Sequence, residues 1–492
     1  MTYPRISRRN SNPGAVAFEI SFPGFLALLV ILLFTGLCGQ AFGDEPLTEA
    51  LTPNEQLAED ILRELVNFES TSEHPEQTRL ATEAMAQRLI AAGFPGEDVL
   101  VVNPAPDKYG LVARLRGVQD QQPLLTMAHI DVVTADPDAW AFPPFTFGKK
   151  DGFYFGRGTQ DNKTGAAHLM ANFIRLQQEE FVPNRDLIMM LTGDEETEGE
   201  VARWLANEGK ALIDSEYALN TDGGGGEYTA DFQPRAFLVQ TSEKVYQTYE
   251  LSVSNPGGHS SIPRPDNAIY QLAAALVRIG EYAFPIQIGP NSRLMFERAA
   301  QLETGQAAAD LLDIARNGAE AESIPRVSVD PYLNAVMRTT CVATEISGGH
   351  AENALPRNAS ATINCRILPG TDPSEVEAQL RELAADEAIQ FKSTYDALPS
   401  PPSVMPDALQ ESLETLVEEF WPGVPVIPEM STGATDGLFL RNAGIPVFGV
   451  AGWFMRLSDI RAHGLDEKIG IAEFHQGTAY WYDMLVTLSS PR

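Results

Sequence analysis

Five short segments carry side chains able to hold or move charge, and each stands just beyond an apolar run. The first is Ala128-His129-Ile130-Asp131. In an extended chain residues i and i+2 share a face, so Asp131 lies on the side of His129 and can accept its second ring N–H. Alone, the pair reads as readily as a buried, hydrogen-bonded histidine. The second segment is Gly156-Arg157-Gly158-Thr159-Gln160-Asp161-Asn162-Lys163. Its glycines let the backbone turn sharply and leave Asp161 at the mouth of a helix. An N-cap turn explains that acid, but not the Gly-Arg-Gly before it. The third, Thr192-Gly193-Asp194-Glu195-Glu196, crowds acids that repel one another unless something positive compensates. A solvated acidic turn is the plain alternative, and Glu198 and Glu200 fit it. Asn220-Thr221-Asp222-Gly223-Gly224 and His463-Gly464-Leu465-Asp466-Glu467 complete the set.

Each segment is a common turn taken singly. Together they offer two histidines and several carboxylates. Mixed imidazole and carboxylate donors suit zinc, and also manganese or cobalt. A carboxylate can bridge two ions about 3.5–4 Å apart, and one acid remains over as a general base.

The elements that must carry these segments follow from hydrophobic periodicity. Helices are expected near 55–67, 79–92 and 164–178. Between and beyond them lie apolar runs of buried-strand character, Leu124–Met127, Leu187–Leu191, Tyr217–Asn220 and Pro446–Val450. Alternating strands and helices predict an α/β domain with a mostly parallel sheet flanked by helices, whose ligand site collects at the carboxyl ends of the strands. The middle reads differently. Strands at Tyr246–Ser254, Arg338–Ile346 and Ala359–Leu368 and helices at 265–280 and 373–385 predict an inserted α+β module. The run Leu398-Pro399-Ser400-Pro401-Pro402 would be its exit linker. Residues 284–335 show no clear period.

In order and spacing the five segments resemble the M20 family of metallopeptidases, over about residues 108–475. That resemblance implies a hydrolase of peptide or N-acyl amino acid bonds with two divalent metal ions, most simply zinc. Asp161 would bridge both ions, with His129 and Asp222 completing one and Glu196 and His463 the other. Glu195 would be the general base, Asp131 would orient His129, and Asp161–Asn162 would be a cis peptide. The inserted module resembles the family's ferredoxin-like lid. His259, in Gly257-Gly258-His259-Ser260-Ser261, would reach the scissile carbonyl from the same or a second subunit. Asn353 and Arg366 would grip a substrate carboxylate, a task that suits the planar fork of arginine. Ser431–Gly437 resembles a substrate-facing loop. The implied domains are a catalytic part at 44–243 and 398–492 and a lid at 244–397, through which a homodimer would form. Ala128 stands where the family often has Gly, and Asp466 where it has Asn; neither change removes a ligand. Asp222 in place of Glu resembles the dipeptidase and Gly-X carboxypeptidase branches. Cleavage next to a free carboxyl-terminal residue is therefore the leading expectation, with N-acyl amino acid hydrolysis as the alternative.

Ahead of these segments Arg5, Arg8 and Arg9 precede an apolar run from Phe22 to Leu37 and a small-x-small site at Ala41-Phe42-Gly43. This is the pattern of a signal peptide over 1–43. At about 16 residues the run is short of the roughly 20 a spanning helix needs. Export to the periplasm or medium is expected, with an uncleaved anchor as the other reading. The chain carries a net charge of −32, a field that repels nucleic acid and anionic membranes. Beyond that segment only Cys341 and Cys365 remain, either as a disulfide or as two buried thiols. No Gly-x-Ser-x-Gly elbow offers a nucleophilic serine. A binding protein on the same fold would be expected to have lost a ligand or the base, and none is lost.

Overall fold

The computed structural model describes residues 50–118, 121–394 and 397–490. The expected signal segment at 1–43 lies outside them. Ten strands form the main sheet. Their order is Val99–Ala105, Lys108–Leu115, Leu187–Thr192, Leu124–His129, Tyr217–Asn220, Val447–Gly449, Pro234–Glu243, Gly225–Tyr228 and Phe454–Arg456, with Val426–Ser431 branching from Pro234–Glu243. The four strands from Leu187–Thr192 to Val447–Gly449 run parallel. Antiparallel pairs flank them on both sides. The central strands are buried on both faces, which explains their unbroken apolar sequence. Along one of them Leu187, Met189 and Leu191 join one core, while Ile188 and Met190 join the other.

Helix Lys163–Gln178 lies against one face and is buried along nearly its whole length. It packs between Pro53–Val66 and the carboxyl-terminal helix Ile471–Ser489. A capping box starts the first of these: the Glu55 N–H donates to Thr52 Oγ1 at 3.3 Å and the Thr52 N–H to Glu55 Oε2 at 2.8 Å. Lys163–Gln178 must begin directly after Asn162, and that junction aims Asp161 at the strand ends.

A second, wholly antiparallel sheet has the order Thr340–Gly348, Asn358–Ile367, Val245–Ser254 and Gln390–Ser393. Helices Ala268–Glu281 and Pro373–Ala384 cover one face and close a separate core. The chain order strand–helix–strand–strand–helix–strand is the ferredoxin-like arrangement. Cys341 and Cys365 stand opposite each other in register and form a disulfide. Residues 290–337, which take in most of the stretch without clear period, fold into short helices. Met295, Phe296, Leu311 and Ile314 pack on Ala236, Ile427 and Met430 of the main sheet rather than on the ferredoxin-like core.

Where the chain leaves the main sheet, Glu243 is fully buried and accepts from Arg441 Nη1 at 2.6 Å, Ser400 Oγ at 2.9 Å and the Thr435 N–H at 3.0 Å. One carboxylate thus ties the entry to the inserted module, its exit and the 431–437 loop.

Candidate metal centre

The five segments meet at the carboxyl ends of the parallel strands. His129 ends its strand and is buried. Its Nε2 lies 2.8 Å from Asp161 Oδ1 and 3.9 Å from Asp222 Oδ2. The other oxygen of Asp161, Oδ2, lies 3.2 Å from Nε2 of His463, which is also 2.9 Å from Glu196 Oε2. Asp161 therefore offers one oxygen to each imidazole, and the peptide that follows it is cis. His463 has φ 59°, a left-handed conformation rare outside glycine. Donor atoms of His129, Asp161 and Asp222 lie within 4.8 Å of one another, as do those of Asp161, Glu196 and His463 and those of His129, Glu195 and Glu196. Donor types, mutual distances and the split of Asp161 between two histidines fit a pair of divalent cations.

Asp131 lies beside His129, as expected from the sequence, and makes further contacts. The group nearest His129 Nδ1 is the Asp131 backbone carbonyl, at 3.1 Å, while its carboxylate stands at 3.5 Å. The carboxylate also accepts the N–H groups of Glu195 at 3.1 Å and Glu196 at 3.0 Å. It so fixes the turn that presents both acids, as well as the histidine.

The electrostatics are those of negative charge held without enough positive charge. Burial raises Asp222 to about 7, helped by Asp161. Burial also lifts Glu195 well above the usual carboxylate range, with Asp222 and Asp436 adding to it against the pull of His129. Glu196 moves up for the same reason, and its bond to His463 opposes the rise. His463 is raised to about 10, first by Asp161 and then by Glu196. Behind Glu195, Asp436 is pushed up to about 8 by burial and by Asp194, and accepts a 2.6 Å bond from Thr192 Oγ1.

These groups border a cavity of about 660 Å³. Asp161, Glu195, Glu196, Asp222 and His463 line it, with Tyr246 and Arg366 of the inserted module and Ser431, Thr435 and Asp436 of the loop. Arg366 stacks on Tyr246 at 4.6 Å. Burial holds its guanidinium below its ordinary range. His259 and Asn353 sit elsewhere. The short strand Gly258–His259 pairs with Ala354–Leu355, both residues are exposed, and His259 Nδ1 accepts from Ser261 Oγ at 2.8 Å. Thr192 opens the third segment and Asp436 lies in the 431–437 loop, but sequence reasoning gave neither a place beside Glu195.

A parallel-centred sheet that gathers two histidines and a cluster of carboxylates beside a cavity at its strand ends is the build of a metal-dependent hydrolase. Residues 125–487 match the sequence profile of peptidase family M20/M25/M40. The chain is 30% identical over 375 residues to human N-fatty-acyl-amino acid synthase/hydrolase PM20D1, covering 74% of each chain. It is 30% identical over 277 residues to carboxypeptidase S of Saccharomyces cerevisiae, 52% of this chain and 47% of that one. In fold it is similar to human carnosine dipeptidase 1, with TM-score 0.63 and 15% identity over 88% of this chain and 96% of that. An M20 metallo-carboxypeptidase of Sulfolobus solfataricus gives TM-score 0.64 and 17% identity over 87% and 98%. The chain belongs to peptidase family M20 and is a metallohydrolase of peptide or amide bonds.

Proposed function

We propose that this chain is an exported hydrolase that uses two divalent cations, zinc first and manganese or cobalt as alternatives, to cleave an amide bond next to a free carboxyl-terminal residue. The observation that carries the reading is Asp161, whose two oxygens face two different imidazoles beside Glu195. His129 and Asp222 would hold one ion, Glu196 and His463 the other, and Asp161 both. When bound, the ions would acidify a water and draw electron density from the scissile carbonyl. Glu195 takes the proton of the attacking water as the new C–O bond forms. It then delivers that proton to the amine nitrogen as the C–N bond breaks, leaving a carboxylic acid and a free amino acid. Arg366 makes no ion pair among the described residues, faces the cavity and is partly desolvated, which suits a substrate carboxylate.

Carboxypeptidase or dipeptidase action leads. N-acyl amino acid hydrolysis is the second reading, favoured by the 74% coverage of the human N-fatty-acyl-amino acid synthase/hydrolase. Both release the same kind of fragment. The proposal includes a homodimer through the lid at 244–397. Its support is the edge strand Thr340–Gly348, where Val342 and Ile346 are exposed, and the position of His259 and Asn353 outside the cavity of their own chain. Export rests on the basic and apolar pattern of residues 1–43 and accords with the Cys341–Cys365 disulfide.

Elemental analysis paired with a panel of dipeptides and N-acyl amino acids, before and after chelation, tests the reading. Two ions per chain, with activity lost on chelation and restored by metal, are expected. Undiminished hydrolysis in chelator by a metal-free chain would overturn it.

A further inference from the structure

The Gly-Arg-Gly of the second segment and the terminal Glu of the fifth have no part in the chemistry above, yet they meet. Glu467 is fully buried, and one carboxylate gathers four donors: Arg157 Nη1 at 2.8 Å and the N–H groups of Gly158 at 3.0 Å, Gln160 at 2.6 Å and Asp161 at 3.1 Å. Its backbone carbonyl accepts the Gly156 N–H at 3.1 Å. Arg157 is equally enclosed and stacks on Trp140 at 4.9 Å. Gln160 returns the connection. Its Nε2 donates to the carbonyls of Asp459 and Lys468, and its Oε1 accepts the Arg461 N–H at 2.7 Å. Neither Arg157 nor Glu467 lines the cavity.

Two loops more than 300 residues apart in sequence are therefore fastened to each other beneath the centre. One carries Asp161, whose own N–H is held by Glu467. The other carries His463, four residues before Glu467. The 3.2 Å approach of Asp161 to His463 stands on this fastening, beside the short antiparallel pairing of residues 468–470 with 153–155. Holding the backbone through charge is demanding, since a buried ion pair by itself stabilises little over an apolar pair. It does set direction, because every donor must converge on one carboxylate.

We propose that Arg157 and Glu467 form a buried positioning unit that sets the metal affinity of the centre by fixing the Asp161 turn against the His463 loop. This rests on the dinuclear reading above. Partners that orient metal ligands typically change affinity by about 10–100-fold when altered, and that is the size expected here.

The test compares wild type with Glu467→Gln, which keeps the shape but removes the charge, by competition for zinc against a chromophoric chelator. Each chain's melting temperature is read without metal. Glu243→Gln serves as the control, because Glu243–Arg441 is an equally buried ion pair whose bonds go to Ser400 and Thr435 rather than to the Asp161 turn or the His463 loop. Weaker zinc binding in Glu467→Gln but not in Glu243→Gln, with melting temperatures lowered in both, is expected. Zinc affinity within twofold of wild type in Glu467→Gln overturns the positioning role, as does an equal loss in both variants. Should Glu467→Gln fail to fold, Arg157→Lys keeps the charge and loses the fork; it should weaken zinc binding in the same direction, and unchanged affinity overturns the proposal. A wild-type chain that binds no zinc would sink the dinuclear reading itself, and with it this inference.

Discussion

At the scale of single residues, the acids around the cavity differ in what surrounds them rather than in kind. Burial lifts Glu195 well above the ordinary carboxylate range, and no cationic group hydrogen-bonds its carboxylate among the described residues. Glu196, its neighbour, is tied to His463. We expect Glu195→Gln to retain two metals per chain and to lose about 10²–10⁴-fold in kcat, read by elemental analysis and steady-state kinetics on one preparation. Near-normal kcat would remove Glu195 from the reaction. Arg366→Met should raise KM about 10–100-fold with kcat little changed, the mark of binding that is equal in ground and transition states. A fall in kcat alone would place Arg366 elsewhere in the mechanism. The segments that carry the five proposed ligands were legible because each stands just past an apolar run or at a glycine turn, whereas the choice of residue within each came from the family resemblance. The Asp131 contact was only half legible: alternation put its side chain near His129, but not the two backbone N–H groups of the following turn that claim its carboxylate.

At the scale of elements, the helices behind the sheet are joined by a titratable group. His168, on Lys163–Gln178, is fully buried and its Nε2 lies 2.9 Å from the Phe474 carbonyl of Ile471–Ser489. Burial pulls its imidazole down to about 3. An unfolded histidine titrates near about 6.5. Between those values the unfolded chain binds the proton and the folded one does not, so stability rises with pH there. The contribution is whole above the unfolded value and is lost as pH falls toward 3, by at most about 1.4 kcal/mol per pH unit. We therefore expect the wild-type melting temperature to drop more steeply from pH 6.5 to 4.5 than that of His168→Gln; parallel slopes would clear His168 of this role. Strongly apolar or periodic elements were legible, since Lys163–Gln178 and Tyr217–Asn220 match their predicted spans closely. The helices of 290–337 were not. Each spans few turns and is interrupted at Gly305, Gly318 or a proline, so no stretch repeats its apolar face often enough to reveal a period. The antiparallel flanks of the sheet were missed for the opposite reason: half-exposed strands such as Val99–Ala105 lack the unbroken apolar run that marked the central ones.

At the scale of the molecule, a net charge of −32 surrounds a site proposed to receive a carboxylate. An anionic substrate approaches such a field uphill. Salt shortens the reach of the field, from about 30 Å at 0.01 M to about 8 Å at 0.15 M. kcat/KM for a free-acid substrate should accordingly rise over that range, while its carboxyl-terminal amide should show a flat profile. A fall with salt for the free acid would mean that Arg366 and its surroundings dominate the field at the cavity mouth.

The fastening of residue 467 to residues 157–161 also bears on how the protein comes into being. A ribosome delivers the chain from its amino terminus, and His129, Asp161, Glu196 and Asp222 emerge long before His463. Until the last thirty residues follow, the Asp161 turn lacks its carboxylate clamp and helix Lys163–Gln178 lacks one of the two helices that enclose it. A chain that has not yet delivered residues 463–467 holds four of the five proposed ligands, without the second imidazole and without the clamp on the Asp161 turn. Delivery of that late segment is what sets the second imidazole beside Asp161 and Glu196.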